Sequence, residues 1–306
     1  MRRVHWKARI HYAYHDKQFV SFVEVDGDAV SSELRVLVDG LTFLECPRWR
    51  EGRLWISEMH DHRVITIDDE GAVETVHELD GDEPGGLGWT SEGELLLVST
   101  KERKLLGLGA RGVREVAALD GHLEARANDM VVDALGRSYI GSWGYDFEGG
   151  APFAPANIAM VDADGGVTTA AKGLGFPNGM VVDEQSRRLI VAETMSSRLM
   201  AFRIADDGSL SDPTLWADLP GTMPDGICWD GSGGIWVADP GSRKVLRVLE
   251  GGEIAEVVQT EKLRPYACAL GVVDGRKTLY ICVAESFKPA VTRERRTGAV
   301  LALDVD

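Results

Sequence analysis

The sequence is poor in cysteine and in long apolar runs, and each shortage excludes a class of protein. Its four cysteines lie far apart, with no Cys-x-x-Cys pair: Cys46, Cys228, Cys268 and Cys282. This spacing excludes a zinc ribbon and argues against a disulfide framework. No stretch approaches the roughly 18 apolar residues of a membrane-spanning helix, and the basic N-terminal residues lead into no apolar signal segment. We therefore expect a cytoplasmic protein with free thiols.

Basic residues are also scarce relative to acidic ones. The chain has 33 Lys and Arg against 49 Asp and Glu, a formal charge of −16 over 306 residues. Nucleic acid and anionic membrane surfaces both require clustered Lys and Arg, so we expect neither as a partner and a small molecule instead. Glycine, by contrast, is abundant at 35 residues, and helical periodicity is nearly absent. Such frequent turns predict many short strands.

A short phrase recurs along the chain: an apolar residue, a polar turn that usually contains glycine, and a β-rich run. The leading apolar residues are spaced 40 to 50 residues apart, at Trp49, Trp89, Val132, Val182, Trp229 and Val273. Each copy continues with a second hairpin-like piece, which gives four strands per copy. This period and strand number are typical of a propeller blade. The sequence therefore predicts an all-β fold, a six-bladed β-propeller.

The ends of the repeat region define the predicted domain. Residues 35–38 and 299–303 both have strand-like sequences, and we expect them to meet in one sheet that closes the propeller. Residues 35–306 are then the propeller domain, and residues 1–34 are an N-terminal extension. Alternating residues from 9 to 22 suit an extra hairpin that turns at 15–17, and a partly ordered tail is the alternative.

The repeat also locates a candidate site. Four positions before the leading apolar residue, the first five copies have Glu45, Gly85, Asn128, Asn178 and Asp225. Equivalent positions at the start of the innermost strands face the central channel together, and four of these five carry side-chain oxygens. Oxygen ligands favour Ca²⁺ or Mg²⁺, and Mn²⁺ or Zn²⁺ could also occupy such a site. The alternative is a wet channel that binds only water.

Four phrases at these positions resemble the senescence-marker-protein/gluconolactonase/luciferin-regenerating-enzyme family, which includes regucalcin. They are LECPRW at 44–49, RAND at 126–129, PNGM at 177–180 and PDG at 224–226. The resemblance covers roughly residues 35–305 and implies a six-bladed propeller with one divalent metal in the channel. It implies that Glu45, Asn178 and Asp225 bind the metal. It also implies that Asn128 binds the metal, metal-bound water or substrate, and that Arg126 contacts substrate hydroxyls.

Two positions depart from the family pattern. The family motif usually has Gly-Glu-Gly-Pro at the first ligand, whereas Leu44 and Cys46 flank Glu45 here. Ala127 also stands where sugar lactonases commonly have proline. The predicted metal ligands are retained despite these departures. The altered neighbours predict a pocket wall that differs from that of the sugar lactonases, which argues against a simple aldonolactone as the substrate.

The candidate residues predict a metal-dependent hydrolase, most simply a gluconolactonase-like lactonase that opens a sugar-type or other small lactone. The cation would polarise the carbonyl while water attacks. Asp225 is the candidate general base, and Arg126 and Asn128 would orient ring hydroxyls or the carbonyl. Trp143 and Tyr145 follow a strand of the third copy and are candidates for an aromatic wall that binds substrate.

Other functions remain open. One is hydrolysis of organophosphates or other activated esters at the same site. Another is a non-catalytic calcium-binding propeller or interaction module, in which the ion only clamps the hub; four protein ligands would leave room for water, which favours the enzyme. His60 and His62 suggest a zinc pair, but no third nitrogen or sulfur ligand is evident. The sequence has no G-x-S-x-G elbow and no P-loop.

Overall fold

The computed structural model describes residues 9–15, 18–24, 34–110, 112–273 and 275–305. Strands β1 (Arg9–His15) and β2 (Gln18–Glu24) pair with each other in an antiparallel two-stranded sheet. The residues between them, 16 and 17, lie outside the described residues, and so do 1–8 and 25–33. The division of the chain between residues 34 and 35 stays a prediction.

The rest of the described chain forms six four-stranded antiparallel sheets around a central channel, which confirms the predicted six-bladed β-propeller. In blades 1 to 5 the strands follow one another from the channel outwards. After β3 (Arg35–Leu41), blade 1 contains β4 (Leu44–Arg50), β5 (Arg53–Glu58), β6 (Arg63–Ile67) and β7 (Val73–Glu78). Blade 2 contains β8 (Pro84–Trp89), β9 (Leu95–Ser99), β10 (Lys104–Gly109) and β11 (Gly112–Ala118). Blade 3 contains β12 (Ala127–Val132), β13 (Ser138–Ser142), β14 (Ala156–Val161) and β15 (Val167–Leu174).

The second half of the ring repeats this plan. Blade 4 contains β16 (Pro177–Asp183), β17 (Arg188–Glu193), β18 (Arg198–Ile204) and β19 (Leu210–Asp218). Blade 5 contains β20 (Ile227–Trp229), β21 (Gly234–Asp239), β22 (Lys244–Leu249) and β23 (Ile254–Gln259). Blade 6 contains β24 (Arg264–Val273), β25 (Arg276–Ala284) and β26 (Gly298–Val305). The six leading apolar residues of the repeat all fall at the end of an innermost strand, as the repeat predicts.

Blade 6 is completed from the other end of the domain. Strand β3 pairs antiparallel with β26, and the partners include Val38 with Val300. The predicted closure is therefore confirmed. Because the first and last strands share one sheet, the ring is closed by backbone hydrogen bonds and leaves no unpaired edge at the seam.

The core lies between the faces of neighbouring blades. Trp216 of blade 4 is 1% exposed and belongs to one cluster with Ile235, Val237 and Leu246 of blade 5. Three of the cysteines are buried and Cys228 is half-buried, all as free thiols. Helical structure in the described residues comprises α1 (Pro289–Arg295) and the 3₁₀ turns Met59–Asp61 and Thr194–Ser196. None of these described helices has the length and apolar character needed to cross a membrane.

Candidate functional site

A cavity of about 440 Å³ lies where the innermost strands begin. All four predicted oxygen ligands line it, and we call them the hub residues: Glu45 in blade 1, Asn128 in blade 3, Asn178 in blade 4 and Asp225 just before blade 5. The equivalent position in blade 2 is Gly85, which has no side chain to contribute. The structure therefore brings the four side chains together at one end of the channel, as the repeat register predicts.

A β-bulge aims the hub side chains in several blades. The pairing of β4 with β5 shifts by one residue between Glu45 and Arg48. The same shift spans Asn128 in β12 and Asn178 in β16. An extra residue at this point re-aims a side chain that strict alternation would direct between the blades. The bulges explain why these positions point into the channel although the rest of each strand packs in the core.

Backbone hydrogen bonds hold Asp225, which precedes β20. Its amide donates to the carbonyl of Ala238 at 2.9 Å, and its carbonyl accepts from the Gly179 amide at 3.2 Å. The adjacent Gly226 amide donates to the carbonyl of Tyr266 at 2.8 Å. The backbone around Asp225 is thus fixed by blades 4, 5 and 6 at once, which places its carboxylate at the cavity.

The two hub amides are oriented by their nitrogens. Asn128 donates through Nδ2 to the carbonyl of Pro177 at 3.2 Å. Asn178 donates through Nδ2 to the hydroxyl of Thr194 at 3.3 Å, and this hydroxyl donates to the carbonyl of Pro224 at 2.7 Å. Because these bonds engage the amide nitrogens, the amide oxygens are the atoms of the two side chains that could bind a cation. The carboxylate atom Asp225 Oδ1 is buried and has no hydrogen-bond partner, which is costly for a buried acceptor.

The electrostatics of the hub are those of a site that lacks positive charge. Burial raises the pKa of Glu45, and the nearby carboxylates of Asp225 and Asp129 raise it further. Burial also raises the pKa of Asp225, with Asp129 as the next cause. Asp129 itself pairs with Arg48 at 2.7 Å, whereas no cation of the described residues forms an ion pair with Glu45 or Asp225. A divalent cation would supply the missing charge and a partner for Asp225 Oδ1.

The donor set is two carboxylates and two amides. Accordingly, no cluster of three or more His, Cys, Asp or Glu suited to a metal occurs in the part of the chain that the structure describes. Oxygen donors of this kind fit a hard cation such as Ca²⁺ or Mg²⁺. These four residues could hold such an ion and leave coordination positions for water or substrate.

A second ring of side chains lies two positions before the hub residues, and the sequence reasoning did not single it out as a set. It comprises Phe43, Glu83, Arg126, Phe176 and Met223, and every member except Arg126 lines the cavity. The signal was available, because the repeat register that selects Glu45 selects Phe43 when counted two residues earlier. We refer to the hub residues as the floor of the cavity and to this second ring as part of its wall.

The predicted substrate-binding residues divide between two spaces. Asn128 and Trp143 line the main cavity, whereas Arg126 and Tyr145 line an adjoining cleft of about 280 Å³ that Trp143 also borders. The Arg126 guanidinium pairs with Glu83 at 2.5 Å and with Glu148 at 2.7 Å. It also lies 4.8 Å from the centre of the Trp143 ring. Arg126 is therefore fixed in the wall between the two spaces, and its contact with substrate stays a prediction.

Comparison with known proteins identifies the family to which this propeller belongs. Residues 43–285 match the family described as the SMP-30/Gluconolactonase/LRE-like region. The chain belongs to this family. Pentonolactonase XacC of Haloferax volcanii is 28% identical over 230 residues, which cover 73% of this chain and 76% of that protein. The 6-deoxy-6-sulfogluconolactonase of Pseudomonas putida is 27% identical over 267 residues, 84% of this chain and 86% of that protein.

Among solved structures, regucalcin from Agrobacterium tumefaciens, titled a calcium-binding protein, has the same fold. It superposes with a TM-score of 0.73 at 20% identity, over 88% of this chain and 92% of that one. The fold and the family expected from the four sequence phrases are both confirmed.

His60, which the sequence suggested only as half of a zinc pair with His62, also lines the cavity of this SMP-30/gluconolactonase/LRE-like propeller. His60 lies in the 3₁₀ turn after β5, 4% exposed, with its ring stacked 4.8 Å from that of Phe43. Its Nδ1 is 2.6 Å from the Thr292 hydroxyl of α1. His62 lies instead beside Arg293 and the carbonyl of Asp82. The two histidines are on a turn rather than one strand face, and they have separate partners, so they form no common ligand pair.

The buried position of His60 predicts a pH effect on stability. Burial lowers the pKa of His60 to about 4, while an unfolded chain takes up this proton near pH 6.5. Between these values the unfolded state binds more protons, so acidification destabilises the fold. We expect His60 to cost the protein about 2 kcal/mol of unfolding free energy between pH 7.5 and pH 5. Urea unfolding at a series of pH values measures this.

The control for this prediction is a matched pair of variants. The His60→Gln variant should lose about 2 kcal/mol less than the unmodified protein over that pH range. His77→Gln, in the outermost strand of blade 1, should follow the unmodified protein. Parallel pH curves for the unmodified protein and His60→Gln would show that the proton uptake is located elsewhere.

Proposed function

We propose that this protein is a metal-dependent hydrolase that opens a small lactone to the hydroxy acid. The observation that carries the proposal is the buried, unpartnered Oδ1 of Asp225 in a cavity shared with Glu45 and two oriented amides. Two relatives that each align with most of the chain are named as lactonases, which supports the reaction class. The regucalcin structure is titled calcium-binding, which supports a divalent cation.

The cation would be held by Glu45, Asn128, Asn178 and Asp225, with Ca²⁺ the most favoured ion and Mg²⁺, Mn²⁺ or Zn²⁺ as alternatives. When bound, it supplies Lewis-acid polarisation of the lactone carbonyl and stabilises negative charge on that oxygen. The hub residues fit this role because they offer oxygen donors, uncompensated negative charge and an orphaned acceptor.

The chain's own residues perform the proton transfers. Asp225 accepts a proton from the attacking water as the water oxygen bonds to the carbonyl carbon. The ring C–O bond then breaks, and Asp225 returns the proton to the leaving alkoxide, which gives a hydroxy acid. The amide of Asn128 orients the carbonyl end of the substrate at the floor. Arg126, fixed between Glu83 and Glu148, orients the part of the substrate that reaches the wall, beside Trp143 and Tyr145.

The test is a hydrolysis panel on the Ca²⁺-loaded protein. It contains unsubstituted, alkyl-substituted and polyhydroxylated lactones, an aryl ester and an organophosphate triester, and product formation is followed by acid release. We expect turnover of at least one lactone with a kcat/KM above that for the ester and the triester. Preference for the triester would replace lactones with organophosphates as the substrate class. Tight Ca²⁺ binding without turnover of any compound would make the protein a calcium-binding propeller.

A further inference from the structure

The cavity has a polar floor and an apolar wall. Its floor is the hub, with four oxygen-bearing side chains. Six aromatic side chains from blades 1, 3, 4 and 6 and their adjoining loops also line the space: Phe43, Trp143, Phe147, Phe176, Tyr266 and Phe287. A substrate that reaches the hub with its carbonyl must lay the rest of its body against these rings.

The charged members of the second ring are already paired within the protein. Phe43, Phe176 and Met223 are three of its five members and are apolar. The other two, Glu83 and Arg126, neutralise each other in an ion pair of 2.5 Å. The ring nearest the floor is therefore apolar or self-paired around the cavity.

Phe176 shows that the aromatic wall is built at a conformational cost. Its φ is +63°, in the left-handed region that side chains other than glycine rarely adopt. The ring is 8% exposed, stacks 5.8 Å from Trp143 and meets Phe147 edge-on at 5.9 Å. Glycine would fit this backbone without strain, so a phenylalanine here is retained for what its ring contacts.

A pair of rings spans the mouth of the cavity. Phe147 lies in the loop between β13 and β14 of blade 3, and Phe287 lies between β25 and α1 of blade 6. Blades 3 and 6 are opposite each other in a ring of six, yet these two side chains have centroids 5.5 Å apart. Both rings line the cavity, so their contact joins loops of opposite blades at this space.

Several polar side chains in the wall already have partners within the protein, whereas the buried hydroxyl of Tyr266 has none. Thr194 donates to the carbonyl of Pro224 at 2.7 Å, and Arg264 donates to the carbonyl of Pro240 at 2.7 Å. The His60 ring is bonded to Thr292. A substrate with many hydroxyl groups would lose more hydrogen bonds to water than the remaining free groups of the wall could replace, which penalises its binding.

Building on the lactone hydrolysis proposed above, we propose that the substrate is a lactone with an apolar alkyl or aryl substituent, not a polyhydroxylated sugar lactone. The lactone carbonyl lies at the hub floor, and the substituent packs against Phe43, Phe176 and the Phe147–Phe287 pair. Apolar burial in this wall supplies the selectivity, because each methylene group in a hydrophobic pocket contributes to discrimination.

The first experiment compares kcat/KM of the Ca²⁺-loaded protein for δ-decalactone, which has a pentyl substituent, and for glucono-δ-lactone. We expect δ-decalactone to be preferred by about tenfold or more. Equal or better hydrolysis of glucono-δ-lactone would overturn the substrate class and leave the lactonase proposal standing. Hydrolysis of neither lactone, nor of the rest of the panel, would overturn the lactonase proposal and this substrate class with it.

Variants of the mouth pair test the wall directly. Phe287→Ala and Phe147→Ala should each raise KM for δ-decalactone about tenfold, and by more than they raise KM for unsubstituted δ-valerolactone. Leu215→Ala removes an apolar side chain that is 57% exposed on the outermost strand of blade 4, and it should leave both KM values unchanged. Equal increases for the two lactones would contradict packing of the substituent against this pair.

A binding measurement gives a readout that does not depend on turnover. Calorimetric titration of the Ca²⁺-loaded protein with 6-pentylpiperidin-2-one, a lactam analogue, should give a Kd at least about tenfold lower than titration with gluconolactam. The reverse order would overturn the apolar substrate class even if both lactones are hydrolysed.

Discussion

Replacement of Asp225 with alanine is expected to lower kcat/KM for lactone hydrolysis by about 10³-fold, or about 4 kcal/mol of transition-state stabilisation. The same change should abolish tight Ca²⁺ binding. Asp225 is proposed both as a ligand and as the base that accepts the proton of water, and its Oδ1 has no other partner. Hydrolysis of the preferred lactone and calorimetric titration with Ca²⁺ measure the two losses in the same preparation.

Two controls separate this effect from misfolding. Asp225→Asn keeps the shape of the side chain and its backbone contacts, and it should lose activity nearly as fully because it cannot accept the proton. Asp164→Asn changes an exposed acidic residue in a blade-3 turn and should retain full activity and Ca²⁺ affinity. An Asp225→Ala protein with unreduced kcat/KM would contradict the proposed mechanism.

Replacement of Gly179 with alanine is expected to lower the free energy of unfolding by about 3 kcal/mol and to weaken Ca²⁺ binding. Gly179 follows the hub residue Asn178 and packs directly against the approach to blade 5. A β-carbon there would collide with the amide nitrogen of Ile227 and lie 2.8 Å from the carbonyl oxygen of Asp225. Both contacts are with backbone, so the strands themselves must separate and Asp225 must move. Urea unfolding and Ca²⁺ titration measure the two effects.

Gly121→Ala is the matched control for this substitution. A β-carbon at Gly121 would have nothing within 4 Å, and the position is not in the left-handed region. This variant should keep the stability and Ca²⁺ affinity of the unmodified protein within about 0.5 kcal/mol. If Gly179→Ala were equally silent, the close packing of innermost strands would not be what positions the hub.

The fold could be predicted because the blade-length repeat occurs six times in the sequence. The leading apolar residue of the repeated phrase, from Trp49 in the first copy to Val273 in the last, lies at the end of each innermost strand, so the period and strand count of the repeat define the blades. The seam between β3 and β26 followed from closure, since an open ring would leave two strand edges unpaired. The number of blades and the closure of the ring therefore followed from the repeat, and a single blade-length segment would have shown neither.

The hub could be predicted for the same reason. Glu45, Asn128 and Asn178 occupy one topological position, and symmetry brings equivalent positions to the axis whatever the outer strands do. Pattern alone did not show the β-bulges that aim them, because a bulge is a matter of pairing register between strands.

The upper part of the cavity was not predictable from the repeat. Phe147 and Phe287 lie in loops of different length, and their contact across the mouth depends on tertiary packing. His60 was noticed only as half of a histidine pair, because the pattern did not show that β5 ends at Glu58 and a 3₁₀ turn follows. The second ring, which includes Phe43 and Phe176, could have been found by counting the same register two residues before the hub residues.

We expect one divalent cation at the hub to be required for lactone opening. The direct measurement is to strip the protein with EDTA, titrate Ca²⁺ back, and record bound Ca²⁺ and lactone hydrolysis in parallel. We expect no hydrolysis in the stripped protein and a rate that rises in proportion to occupancy until one ion is bound per chain. Undiminished hydrolysis by protein shown to be free of metal would contradict this requirement.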